Sequence, residues 1–345
     1  MQKLKTFFRR LRSSSLRRMG MYAGKARADS GKPKWIIVLD MFWCVARYGV
    51  GYLDYLTFGF VHQKAAARKT YMTMNDNLRL VKGLNVEADR DEFEDKTKFV
   101  ARFNAFVRRD WIDLRQAGRE GFAAFAEAHP VFFAKEPSNF GGYGVSRIRM
   151  SEEPDAGALF DRLLEGKQFL CEEAVVQHIE MNRLAQKSVN TIRVVTLAKD
   201  GQAHVMYALV RMGSGQTHVD NISSGGMYAP VGEDGVIFAP AFCDKTGEYY
   251  EVHPATGTKI VGFAIPMFAE AMEMVKRAAT VVPGVRYVGW DVAISKDGPL
   301  LIEGNTIPSY DMCQNYRHLR EPKRGYRPRF IAVLGDEFEH PATQK

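Results

Sequence analysis

Residues 287–311 read YVGWDVAISKDGPLLIEGNTIPSYD. β-formers flank Lys296-Asp297-Gly298, which is the pattern of a hairpin around a turn. A three-residue loop that closes on a glycine at positive φ pairs Ser295 with Pro299 and sets Asp291 opposite Glu303. Opposed Cβ atoms lie about 5 Å apart, and period-two alternation places Asn305 on the face of Glu303. Like charges so opposed are destabilising unless a cation lies between them. An all-oxygen set with two carboxylates suits Mg²⁺. Two readings stay open from these residues: a wet acidic hairpin face, or a divalent-cation site.

A second Lys-Asp-Gly, at 199–201, sits inside TIRVVTLAKDGQAHVMYALVRM, residues 191–212. The same pairing rule puts Arg193 opposite Tyr207 and brings Arg211 near residue 189. Arg193 shares a face with Val195 and Leu197. An arginine in such a place needs a carboxylate partner or an anion to hold.

AKEPSNFGGYGV, residues 134–145, sets Lys135 at a strand end before a loop with Ser138, Gly141, Gly142 and Gly144. Glycines let backbone N–H groups approach phosphate oxygens, and a lysine adds a point charge. The loop lacks the G-K-[ST] of the Walker pattern and does not open a dinucleotide-binding helix. It reads either as a phosphate cradle or as a plain turn. No G-x-S-x-G elbow and no metal-spaced histidine cluster occurs.

The chain has 345 residues, enough for two or three packed lobes. Its net charge of +8 is unevenly spread. Residues 1–34 hold 11 Lys/Arg and one acid, Asp29, while the rest holds 37 Lys/Arg and 39 acids, a balance of −2. The basicity therefore belongs to a tail. That tail reads either as a basic amphipathic helix touching anionic lipid or as a solvated arm. A body without a basic, aromatic-interleaved stripe argues against nucleic acid. Cys44, Cys171, Cys243 and Cys313 are scattered, as reduced thiols of a cytosolic protein are. Residues 35–60 are apolar but carry Asp40, Arg47 and Asp54, costly in hydrocarbon. They predict a helix packed on the protein and broken at Gly49 and Gly51, not a membrane span. The expected location is cytoplasmic, with peripheral contact at an inner membrane face through residues 1–34.

Helical patterns cover 61–81 and about 89–128 (by periodicity). After Pro130 come a strand (VFFAKEP), a helix (PDAGALFDRLLEG), a strand running into a connector (QFLCEEAVVQH), the hairpin of 191–212, a helix (FAIPMFAEAMEMVKRAAT) and the final hairpin. Helices first and mixed elements later predict an α+β fold. The division is a basic arm at 1–34, a helical region at 35–94, a main domain at 95–320 with a hinge near 172–176, and a tail at 321–345.

Taken in order, Asp95-Lys96, Lys135 with FGGYGV, CEEAV, SVNTIRVVTL, VDNISSGG and LIEGNTIPS resemble the ATP-grasp superfamily, whose fold grips ATP between two α+β lobes. LIEGNTIPS is close to the EANTxPG that ends the metal site of D-alanine–D-alanine ligases. The nearest subgroup is the sugar-transfer-associated ATP-grasp proteins, related to α-L-glutamate ligase-like sequences, and the resemblance covers about residues 40–320. It implies ATP with Mg²⁺, or Mn²⁺, as cofactors. Lys96 and Lys135 would hold the α- and β-phosphates, and loop 138–144 would close over the triphosphate. The connector from Glu172 and Glu173 through Ala174 and Val175 would seat adenine, and Glu180 would bind ribose. Arg193 would neutralise the γ-phosphate or an acyl-phosphate, and Asp291, Glu303 and Asn305 would bind the metal. Arg211 and Asn221 are further candidates. One departure is Gly289, where D-alanine–D-alanine ligases carry an arginine, so Arg193 or Arg211 must supply that charge. The implied activity is a carboxylate–amine ligase working through an acyl-phosphate, with an amino acid joined to a sugar acid or glycan precursor. The alternatives are an ATP-grasp phosphotransferase on a small molecule or sugar, and a non-catalytic membrane-surface protein.

Overall fold

Both Lys-Asp-Gly segments turn hairpins, and the two hairpins are neighbours in one sheet. The computed structural model describes residues 16–138, 144–214 and 225–341. The chain divides into two units, one up to Gly83 together with the chain from Ile307, the other Leu84–Thr306.

The Leu84–Thr306 unit holds two antiparallel sheets. The smaller consists of β1 (Trp111–Asp113), β2 (Val131–Lys135), β3 (Val145–Arg149) and β4 (Leu170–Glu173), in the order β1-β4-β2-β3. The larger has β5 (Thr191–Lys199), β6 (Gln202–Met212), β7 (Met227–Val231), β8 (Ala241–Cys243), β9 (Glu248–Tyr250), β10 (Tyr287–Ser295) and β11 (Gly298–Asn305). Its order is β11-β10-β5-β6-β7-β8-β9. This is the α+β class expected, with helices before the sheets.

The turns are tighter than the sequence predicts, and bulges offset the difference. Ser295 pairs with Gly298, not Pro299, so Lys296-Asp297 is the whole turn and Gly298 follows at φ +126°. An extra residue, Ile302, then bulges between the Leu301 and Glu303 pairings and restores Asp291 opposite Glu303. At the other hairpin Lys199 pairs with Gln202, because Asp200 (φ +52°) and Gly201 (φ +75°) both take the left-handed conformation of a two-residue turn. With a bulge at Met206, Val195 faces Tyr207 and Arg193 faces Leu209, which corrects the predicted Arg193–Tyr207 pair. Arg211 accordingly reaches Thr191, at 2.8 Å from Nη2 to Oγ1, and not residue 189.

The expected helix over 89–128 is interrupted. Trp111–Asp113 is an edge strand on β4, and Asp113 then caps the helix Leu114–Ala128 by accepting from Arg115 N at 3.0 Å. That helix and Ala156–Glu165 cover the small sheet, packing Phe122, Phe125, Phe160 and Leu163 on Phe132, Ala134 and Cys171. The large sheet is backed by Phe268–Ala278, which buries Phe268, Ala271, Met274, Val275 and Ala278 at helical spacing. The same core takes Phe93, Phe99, Phe103 and Trp290. Each of these rings contributes about 1.5–3 kcal/mol by burial, and together they fix the segment that begins at Lys96 on the sheet.

The other unit opens with helices α1 (Leu16–Ser30), α2 (Lys34–Tyr48) and α3 (Tyr52–Thr57). Gly49, left-handed at φ +70°, ends α2, which is the break expected there. Asp40 and Arg47 therefore lie on α2, and Asp54 on α3. Asp40 accepts from Arg68 and, at 2.6 Å, from the Tyr55 hydroxyl. No helix among the described residues is long and apolar enough to cross a membrane. All four cysteines are buried and none forms a disulfide.

Candidate functional site

A row of charged side chains crosses the large sheet. On β10, Asp291 lies opposite Glu303 of β11 on one side and Arg193 of β5 on the other. Arg193 donates from Nε and Nη2 to the two oxygens of Asp291, the latter at 3.0 Å. Arg211, one strand further on, donates to Asp291 Oδ2 at 2.7 Å. Burial pushes the Asp291 carboxyl up, but Arg193 and Arg211 outweigh it and hold the group well below the usual carboxylate range. Burial also lowers the tendency of Arg193 to carry charge, yet Asp291 keeps it cationic.

Glu303 faces the opposite situation. Burial first, and Asp291 second, raise its pKa above the ordinary glutamate value. Asn305 stands next on that face, opposite Gly289, with Nδ2 3.4 Å from Glu303 Oε1.

One cavity carries Glu303 and Asn305 together with Lys96, Lys135 and Glu172. Each residue arrives by a separate local rule. Lys96 opens the helix Lys96–Arg102, which Asp95 caps by accepting from Thr97 N at 2.8 Å. Its Nζ donates to Glu136 O at 3.2 Å, and burial lowers its pKa while Glu303 opposes that shift. Lys135 and Glu172 share a face because Phe133 pairs with Glu172 and Lys135 follows two residues on. Glu172 is fully buried and ion-paired to both Lys135 and Arg109. Burial alone would raise its pKa, but those two cations hold it at about 2.

Arg109 is a residue that sequence reasoning missed. It is buried and bridges the sheets, donating to Glu172 and, at 2.6 Å, to Leu301 O. Only its place beside Trp111 in RRDWID hinted at burial, and the neighbouring Arg108 is indistinguishable from it on composition.

Other expected residues fall elsewhere. Glu173 points away from the cavity; its Oε2 accepts from Asp110 N at 3.2 Å, beside His129. Ala174 and Val175 lie half-buried in a connector that runs along β10, with His178 N donating to Ile294 O at 2.9 Å. Glu180 is ion-paired to Arg183 at 2.8 Å and does not line the cavity. Ser138 is exposed, and Gly144, at φ +69°, closes its end of the loop through its carbonyl, which accepts from Glu136 N at 3.0 Å. Gly141, Gly142 and Asn221 lie outside the described residues.

Residues 157–319 match the sugar-transfer associated ATP-grasp family. The matched stretch contains Glu172, Arg193, Arg211, Asp291, Glu303 and Asn305, while Lys96 and Lys135 precede it. A search of curated proteins found no match. Among solved structures, D-alanyl-alanine synthetase A from Vibrio cholerae aligns at 11% identity and TM-score 0.42, over 72% of this chain and 66% of that one. The ATP-grasp ligase PsnB, complexed with minimal precursor, aligns at 17% identity and TM-score 0.41, over 73% and 63%. D-cycloserine synthetase DcsG aligns at 14% identity and TM-score 0.41, over 70% of each. The chain thus spans less than two thirds of the first two.

Proposed function

We propose that this ATP-grasp chain is an ATP- and Mg²⁺-dependent ligase that joins a carboxylate to an amine. The observation that carries the reading is the convergence, in one cavity, of Lys96, Lys135, Glu172, Glu303 and Asn305 from four separate segments. The donor set fits a divalent cation, since two opposed carboxylates and an amide line one face and burial together with Asp291 disfavours the Glu303 anion more than Arg193 and Arg211 favour it. When bound there, the ion supplies charge neutralisation for phosphate oxygens.

In this reading Lys96 and Lys135 hold phosphate oxygens, and Glu172 orients Lys135 while Arg109 offsets its charge. Asp291, Glu303 and Asn305 would hold the metal. Arg193 and Arg211 fix the Asp291 carboxylate and place a positive field where phosphoryl charge grows. A substrate carboxylate oxygen bonds to the γ-phosphorus as the bond to ADP breaks. The amine nitrogen then bonds to the acyl carbon, phosphate leaves, and the amine gives up a proton. The substrate pair in this reading is an amino acid and a sugar acid or glycan precursor, of which the family's description supports only the sugar.

The test is calorimetric ATP titration with and without Mg²⁺, followed by ADP release under a matrix of carboxylates and amines. Mg²⁺-dependent ATP binding, with turnover that needs both acceptors, supports the ligase. Turnover with a hydroxyl acceptor alone makes the protein a phosphotransferase, and absence of ATP binding overturns both.

A further inference from the structure

Helix α2 is apolar on two opposite faces. Ile37, Met41 and Cys44 are buried in the protein. On the other side Trp35 is 66% exposed, Leu39 60%, Trp43 59% and Ile36 39%. At about 100° per residue these four fall in one arc about 100° wide. A surface helix with a single packing partner ordinarily turns polar residues outward. Two tryptophans and two large aliphatics set side by side in solvent form a patch that marks a contact surface.

Charge decides what the contact is. Residues 1–34, which lead directly into this helix, carry 11 Lys/Arg against one acid. The basic helix α1 packs on α2, with Lys25 and Arg27 exposed. A groove along α2 is lined by Ile36, Leu39 and Trp43 together with Lys32 and with Arg68 and Asp40, which are ion-paired to each other. A second copy of this chain would bring two such basic segments face to face. An anionic lipid surface meets them with opposite charge at about 1 kcal/mol per lysine or arginine near the surface. Tryptophan also suits the headgroup boundary, where its ring is buried and its N–H stays wet. The 15 residues of α2 span about 22 Å, short of the roughly 30 Å hydrocarbon core. The helix therefore lies along the surface and does not cross it.

We propose that the outward face of α2, which the basic N-terminal segment precedes in the chain, docks the protein on an anionic phospholipid bilayer. This is independent of the ligase reading. The basic segment supplies the long-range attraction, and Trp35, Leu39 and Trp43 supply the apolar insertion.

The test uses the full chain and vesicles of phosphatidylcholine with and without about 30% phosphatidylglycerol. The wild type should sediment with the anionic vesicles only, and bromine on the acyl chains should quench its tryptophan emission. Leu39→Glu/Trp43→Glu should lower binding about tenfold while keeping the wild-type circular dichroism and Tm, since both side chains face solvent. Three results would overturn the proposal: no sedimentation, equal binding by the double variant, or a wild-type dimer in light scattering that the substitutions dissociate.

Discussion

Arg193 and Asp291 are directly opposed on adjacent strands, and Arg211 reaches the same carboxylate from one strand further away. All three are buried, so the carboxylate is what lets two guanidinium groups stay out of water. Asp291→Asn keeps the shape and removes the charge. It should lower the free energy of unfolding by about 3–5 kcal/mol, because it strands two buried cations. Urea denaturation measures this, and a loss below about 1 kcal/mol would mean that the arginines find water or other partners.

Glu303 should behave in the opposite way. Its carboxyl is disfavoured as an anion by burial and by Asp291. Glu303→Gln removes that penalty, so Tm without ligand should hold or rise, while Mg²⁺-dependent ATP binding should weaken by about tenfold or more. Unchanged Mg²⁺ dependence in calorimetry would remove Glu303 from the metal set.

The buried Glu172 gives the acid limb of stability. Its pKa stands at about 2 in the fold against an ordinary value of 4.5. A depressed carboxylate stabilises the fold fully above its unfolded pKa, and that contribution is lost as pH falls through the folded one. The stability gap between wild type and Glu172→Gln should be constant at neutral pH and close between pH 4.5 and about 2. Chemical denaturation at a series of pH values tests it; a gap that persists at the acid end would contradict the ion-pair account.

Much of this site was legible before any coordinates, because period-two alternation survives small errors. The sequence predicts each hairpin turn one residue too long, yet Asp291 still meets Glu303, since the bulge at Ile302 restores the lost residue. At the other hairpin the bulge at Met206 did not restore it, and the partner of Arg193 shifted by two, from Tyr207 to Leu209, on the same face. What stayed hidden were contacts set by tertiary packing. Arg109 is one of two adjacent arginines, and only the approach of β4 to β11 decides which is buried. The return of the chain after Ile307 to the N-terminal unit is likewise unmarked by composition.

In that N-terminal unit the sign of the pH response reverses. Burial pushes the Asp54 carboxyl up, the Tyr310 hydroxyl (2.8 Å away) pulls it down, and nearby Asp311 raises it again, to about 6. A raised carboxyl stabilises most below its unfolded pKa of 3.8, and that contribution is lost as pH rises to about 6. Asp54→Asn still accepts from Tyr310, so it should be more stable than wild type at pH 7.5 and show no such advantage at pH 3.5. Thermal unfolding at the two pH values decides it; equal shifts at both would show that the carboxyl ionises freely in the fold.

Gly304 separates Glu303 from Asn305, and its need is steric. A Cβ there would stand 2.8 Å from Phe93 Cδ1 and 3.1 Å from Phe99 Cε2. Those rings pack the segment bearing Lys96 against β11, so the close approach that a glycine permits is also what brings Lys96 into the cavity with Glu303. Gly304→Ala should therefore cost about 1–3 kcal/mol through displaced rings and weaken nucleotide binding along with stability, although it alters no ligand. Relief should come from Phe93→Leu in the same chain, which frees space where the new methyl group lands. If the double variant regains stability and ATP affinity together, the packing of Phe93 positions Lys96; if it regains stability alone, Lys96 is placed by its own capping contacts and the steric link to the site is wrong.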